Sequence, residues 1–124
     1  MMESKKRALI VEDQFLIAEG LRCQLETMNV DVCGIATTAE EALEIALAER
    51  PDFVLMDVRL DSIRDGVDAA LDIHDSKLDV PVIFVTGSRE QETLDRIALD
   101  HPAATLFKPV SEYQLRHTIE AVVG

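Results

Sequence analysis

The sequence is poor in positive charge, in cysteine and in long apolar runs, and each shortage removes a class of function. Its 12 Lys and Arg stand against 24 Asp and Glu, a formal net charge of −12 over 124 residues. Such a chain repels polyanions, so binding to a phosphate backbone would need a local basic patch. None is visible beyond Lys5-Lys6-Arg7, and direct nucleic-acid binding is not expected. The 2 cysteines, Cys23 and Cys33, are too few for a disulfide framework and lack a metal or redox spacing. Both read as small core fillers. No apolar run approaches the roughly 20 residues of a membrane span, and Ala8-Leu9-Ile10-Val11 falls far short of a signal-peptide core. A soluble cytoplasmic protein is the expectation. Linkers, internal repeats and low-complexity tracts are also missing, so the length predicts one domain over 1–124, with no room for a separate output module.

What the chain does have is a periodicity that switches back and forth along its length. Short apolar runs at 8–11, 30–35, 53–56, 82–85 and 103–107 each fit a buried strand. Between them lie helical stripes: Ile17, Leu21, Leu25 and Met28; Ala42, Ile45 and Ala46; Val67, Ala70 and Leu71; Leu94, Ile97 and Ala98; Leu115, Ile119 and Val122. Thr38 followed by Glu41 has the form of a capping box, Ser111 is placed as an N-cap, and Pro51, Pro81 and Pro102 mark element boundaries. Strict alternation of strand and helix predicts an α/β fold, a doubly wound five-stranded parallel sheet of order 2-1-3-4-5.

In such a sheet a ligand sits beyond the carboxyl ends of the strands where the order reverses, here near the first and third. The predicted strand ends carry Glu12-Asp13, Asp57, Thr86-Gly87 and Lys108-Pro109. Taken singly, each has a structural reading: an Asp there caps a helix, a Thr-Gly pair makes a turn, and a Lys-Pro pair means little. Together they place three carboxylates, a hydroxyl and an ammonium at one pocket. Three carboxylates at short range repel unless a cation intervenes. Oxygen-only ligation favours Mg²⁺, bound directly by Asp13 and Asp57 with Glu12 holding a metal water. Phosphoryl chemistry needs fixed positive charge and donors around the transferred group, which Lys108 and Thr86 supply. Asp57, the middle carboxylate, is the expected nucleophile, and an aspartyl phosphate the product.

At these residues the chain resembles the receiver domain of bacterial two-component response regulators. The resemblance rests on Leu9-Ile10-Val11-Glu12-Asp13, Val54-Leu55-Met56-Asp57, Val85-Thr86-Gly87 and Phe107-Lys108-Pro109, and it covers essentially the whole chain. It implies a flavodoxin-like (βα)5 fold with Glu12 and Asp13 as the acidic pair and Asp57 as the phosphoacceptor. Thr86 is then the switch hydroxyl, Lys108 the phosphate-contacting lysine, and the backbone carbonyl of Arg59 a further Mg²⁺ ligand. A cis Lys108-Pro109 bond is part of the same pattern. The implied partners are a sensor histidine kinase or phosphotransfer protein, and a downstream protein reached through the surface of the fourth helix, fifth strand and fifth helix. The domain would assist its own phosphorylation and dephosphorylation without being a conventional turnover enzyme.

The sequence also departs from that pattern. Where many receivers carry a switch aromatic three residues before the lysine, this chain has Thr105. Phe84-Val85-Thr86-Gly87 is similar to a run found in a single-domain subgroup, yet Ser88-Arg89 do not supply the tyrosine which that subgroup places next. Phe107 reads as core and His74, His101 and His117 as structural, while segment 59–66 reads either as a solvated loop or, since the resemblance implies that Arg59 and Ser88 influence how water reaches the phosphoryl group, as functional. The competing readings are a phosphorylation-independent pseudo-receiver, a phosphohydrolase and a flavin carrier. A phosphohydrolase would want a second carboxylate where Arg59 stands, and a flavin carrier a phosphate loop where Glu12-Asp13 stand.

Overall fold

The computed structural model describes residues 5–60 and 63–124. Five strands alternate with five helices: β1 (Lys6–Val11), α1 (Phe15–Thr27), β2 (Val30–Ala36), α2 (Ala39–Glu49), β3 (Phe53–Met56), α3 (Gly66–Asp75), β4 (Val82–Thr86), α4 (Gln91–Leu99), β5 (Ala104–Phe107) and α5 (Glu112–Val123). All pairings are parallel and the order is β2-β1-β3-β4-β5, the flavodoxin-like arrangement expected from the alternation. Pro51, Pro81 and Pro102 each stand just before a strand, where the missing N–H costs the ladder nothing.

Successive strand side chains point to opposite faces, and this sorts the apolar runs into two cores. Leu9, Val11, Val54, Met56, Val82 and Phe84 pack with Ala42, Ala46, Val67, Ala70, Ile73 and Ile97 of α2, α3 and α4. Ala8, Ile10, Phe53, Leu55, Ile83 and Val85 pack with Ala18, Leu25, Leu115 and Ile119 of α1 and α5. β1 begins earlier than its apolar run, because Lys6 and Arg7 pair through their backbones with Val30 and Asp31. Its register with β2 shifts between Ala8 and Leu9, leaving Cys33 as the extra residue of a bulge, where its thiol donates to the Ala8 carbonyl at 3.3 Å.

Several side chains depart from their expected places. Cys23 is exposed on α1 and Cys33 is only half-buried, so neither is a full core filler. Leu71 is 43% exposed and Ala98 lies on the solvent side of α4, while Ala69 and Ile73 are buried instead. Only half of the box at α2 forms: the Thr38 hydroxyl accepts from the Glu41 N–H at 3.1 Å, but the Glu41 carboxylate turns to the Thr37 N–H at 2.7 Å. At α5 the box is complete, through Ser111 and Gln114. Among the described residues no helix is long and apolar enough to cross a membrane.

Candidate functional site

The sheet ladder runs past its strands and fixes the chemistry-bearing residues by their backbones. The Glu12 N–H donates to the Ala36 carbonyl and the Asp57 N–H to the Val11 carbonyl, both at 2.9 Å, and the Lys108 N–H donates to the Thr86 carbonyl at the same distance. All three therefore project from one edge of the sheet. The Lys108-Pro109 bond is cis, as the sequence pattern implies.

At that edge Glu12 and Asp57 are buried, 2% and 8% exposed, and Asp13 lies nearer the surface. One carboxylate oxygen from each of the three falls within 4.8 Å of the others. The Lys108 ammonium bridges the inner two, with Nζ 3.0 Å from Glu12 Oε1 and 3.3 Å from Asp57 Oδ2. Burial, followed by the hydrogen bond with Asp57, pushes the Glu12 carboxyl above its ordinary range, and Lys108 only partly offsets this. For Lys108 burial acts to lower the pKa, but the hydrogen bond to Glu12 and the charge of Asp57 outweigh it and hold the ammonium protonated.

Above these groups opens a polar cleft of about 380 Å³, lined by Gln14, Asp57, Arg59, Thr86, Ser88, Arg89, Glu90 and Lys108. Thr86 is buried and its hydroxyl oxygen accepts from the Ser88 N–H at 3.0 Å, which fixes the start of the β4–α4 loop. A neighbouring groove of about 440 Å³ between α1 and the β5–α5 loop is lined mainly by Ile17, Leu21, Val85, Pro109 and Val110. Lys108 is its one charged group, so the groove is apolar where the cleft is polar.

The architecture and this edge agree with the family to which the sequence points: the model of the response regulator receiver domain matches residues 8–120. The chain belongs to that family. The receiver is 34% identical over 119 residues to the transcriptional regulatory protein PdtaR of Mycobacterium tuberculosis, covering 96% of this chain and 57% of that protein. It is 39% identical over 84 residues to the phyllosphere-induced regulator PhyR of Methylorubrum extorquens, covering 67% of this chain and 31% of that protein. The chain thus spans about half the length of the curated relatives it matches, or less. Among solved structures, the signal receiver domain of a modulated diguanylate cyclase from Desulfovibrio desulfuricans G20 superposes with a TM-score of 0.90 at 38% identity, covering 97% of this chain and 94% of that one. The receiver domain of PhyR from Erythrobacter litoralis gives 0.81 at 32% identity, covering 95% and 89%.

The receiver brings together Glu12, Asp13, Asp57 and Lys108, with Thr86 and Arg59 on the cleft wall. Thr105 sits half-buried in β5 opposite Phe84, with no aromatic ring at the switch position. Phe107 is not core: it is half-buried, and the Arg89 guanidinium lies 4.2 Å over its ring centroid. None of the three histidines lines the cleft. His74 pairs through Nδ1 with the buried Asp100 at 3.0 Å, His117 stacks on Tyr113, and His101 is exposed at a φ of 52°.

Asp65 and Gly66 escaped the sequence reading. A Cβ on Gly66 would lie 1.9 Å from the Asp57 carbonyl oxygen, and its N–H donates to the Val58 carbonyl at 2.7 Å. Only glycine lets α3 start this close to the backbone of Asp57. Asp65 caps α3 by accepting from the Val67 and Asp68 N–H groups, and it also receives a two-pronged contact from Arg96 of α4 at 2.7 and 3.1 Å. Burial works against the ionised form of Asp65, but Arg96 and the capping N–H groups more than offset it and lower its pKa. The pair Asp65 and Asp68, three residues apart at the start of an apolar stripe, was the signal available.

Proposed function

We propose that this receiver accepts a phosphoryl group on Asp57 from a sensor histidine kinase or phosphotransfer protein in a two-component phosphorelay. The reading is carried by the Lys108 ammonium between the buried Asp57 and Glu12 carboxylates, at the floor of an open polar cleft. An Asp57 oxygen attacks the donor's phosphorus, the bond from phosphorus to the donor histidine's nitrogen breaks, and its electron pair returns to the imidazole. Lys108 offers its ammonium to the transferred oxygens, and the Thr86 hydroxyl lies on the facing wall as the switch group. By holding these groups in place the domain assists its own phosphorylation and dephosphorylation.

The oxygen-only cluster of three carboxylates, one of them held above its ordinary range by burial and a like-charged neighbour, fits a divalent cation. Asp13, Asp57 and the Arg59 carbonyl would hold Mg²⁺ directly and Glu12 through a water. Bound there, the ion supplies charge neutralisation for the phosphoryl oxygens.

The signal leaves through protein contacts on the surface of α4, β5 and α5. The β4–α4 loop joins Thr86 directly to α4, and with Thr105 in place of an aromatic the movement of that helix is the readout. Action in the cytoplasm is part of the proposal, and fractionation of cells that make the protein tests it. Incubation with a small phosphodonor and Mg²⁺, followed by intact mass, tests the central step. The parent should gain one phosphate and Asp57→Asn should gain none. Equal labelling of both would place the acceptor elsewhere, and no labelling of either would favour the pseudo-receiver.

A further inference from the structure

Arg89 stands on the rim of the cleft, apart from the carboxylates and the ammonium at its floor. In a chain with twice as many acids as bases, most cations are expected to find carboxylates. Arg89 stacks instead on Phe107, and among the described residues it has no carboxylate at ion-pair distance, although Glu90 follows it directly. The contact adjoins the site. Arg89 lines the cleft with Asp57 and Thr86, and Phe107 immediately precedes Lys108. An exposed cation–π contact is weak, and a guanidinium keeps its charge and its planar fork of five donors wherever it swings.

The cleft has a use for that fork. A phosphoryl group presents three peripheral oxygens and a large negative charge. Lys108, the cation at the floor, is already shared between Glu12 and Asp57. We propose that Arg89 is a second phosphoryl-binding cation of this receiver, resting on the Phe107 ring in the free state and transferring its guanidinium to the phosphoryl oxygens once Asp57 is modified. The inference rests on Asp57 being the acceptor. It also gives the β4–α4 loop a charged side chain that changes partner with phosphorylation, in a chain with no switch aromatic at 105.

Two substitutions that break the same contact separate this role from a merely structural one. Beryllofluoride with Mg²⁺ is the probe, an anionic phosphoryl mimic whose binding is followed by fluorine NMR, with thermal midpoints of the free variants checking the fold. Arg89→Gln should weaken beryllofluoride binding about five- to ten-fold, the loss of a charge-assisted contact. Arg89→Lys should recover part of it. Phe107→Leu removes the resting place but not the cation, and should tighten binding about two- to five-fold, the release of an exposed cation–π contact. If Arg89→Gln and Phe107→Leu weaken binding alike, the pair is structural and the clamp is wrong. An unchanged affinity in Arg89→Gln also overturns it while leaving the acceptor in place. A parent chain that binds no beryllofluoride overturns the acceptor reading and the clamp with it.

Discussion

Glu12 carries the sharpest electrostatic conflict in the molecule, being almost wholly buried beside a second carboxylate, with one ammonium to serve both. Its pKa is raised in the folded state by burial first and Asp57 second, so folding takes up protons there that the unfolded chain releases. The stabilisation linked to this group is therefore complete at low pH and is lost as pH rises through the elevated titration. In chelator, the parent's unfolding free energy should decline over that range, and Glu12→Gln, which cannot ionise, should remove this part of the decline. Urea unfolding at a series of pH values measures it; parallel curves for parent and variant would mean that Glu12 does not feel its neighbours. Asp65 acts with the opposite sign at lower pH, because its pKa is lowered. Glu12, Asp57 and Lys108 were legible in the sequence because each immediately follows a strand, and a strand end is a place where sequence position fixes spatial position. Arg89 over Phe107 was not legible, since the contact depends on how a loop folds back across β5.

Between elements, both ends of α3 are tied to the C-terminal end of α4. Arg96 grips Asp65 at the start of α3, and Asp100, just past the end of α4, pairs with His74 in the last turn of α3. Movement of α4 as a readout has to loosen the first of these ties. Asp65 is in turn one residue from Gly66, which presses on the Asp57 carbonyl, so the Asp57 backbone and α4 share a cap. Arg96→Gln should raise amide exchange in α4 even without a phosphodonor, at a stability cost of only about 0.5–1 kcal/mol because both partners are part-exposed. Exchange in α4 indistinguishable from the parent would show that the tie does not restrain the helix. The sequence could not reveal Arg96–Asp65, because the two lie 31 positions apart and meet only once both helices lie on the same face of the sheet. The stripe of α3 was misjudged for a related reason. At ~100° per residue, Leu71 falls about 40° beyond Val67, past the edge of a buried arc that runs through Ala69, Ala70 and Ile73. Where that arc is centred depends on the close approach of Gly66, which no periodicity encodes.

For the whole molecule the dominant fact is the surplus of acid, a net charge of −12, three members of which are gathered at one edge. A divalent ion that binds this edge only in the folded state should stabilise the chain by ~2.7 kcal/mol at a hundredfold excess over its dissociation constant. The thermal midpoint should accordingly rise from chelator to saturating Mg²⁺ and stay level in Asp13→Ala; a rise that survives that substitution would place the ion elsewhere. The strand order was legible because strict alternation and right-handed crossovers leave few other arrangements. The hydrogen bonds that carry Glu12 and Asp57 have a further consequence. The Asp57 amide is tied to the inner strand β1 and the Glu12 amide to its neighbour β2, rather than to any helix or loop. Partial openings that release α4 or the β4–α4 loop therefore leave Asp57 where it was. Asp57 belongs to the last part of the molecule to come apart, and α4 with the loop that leads into it to the first.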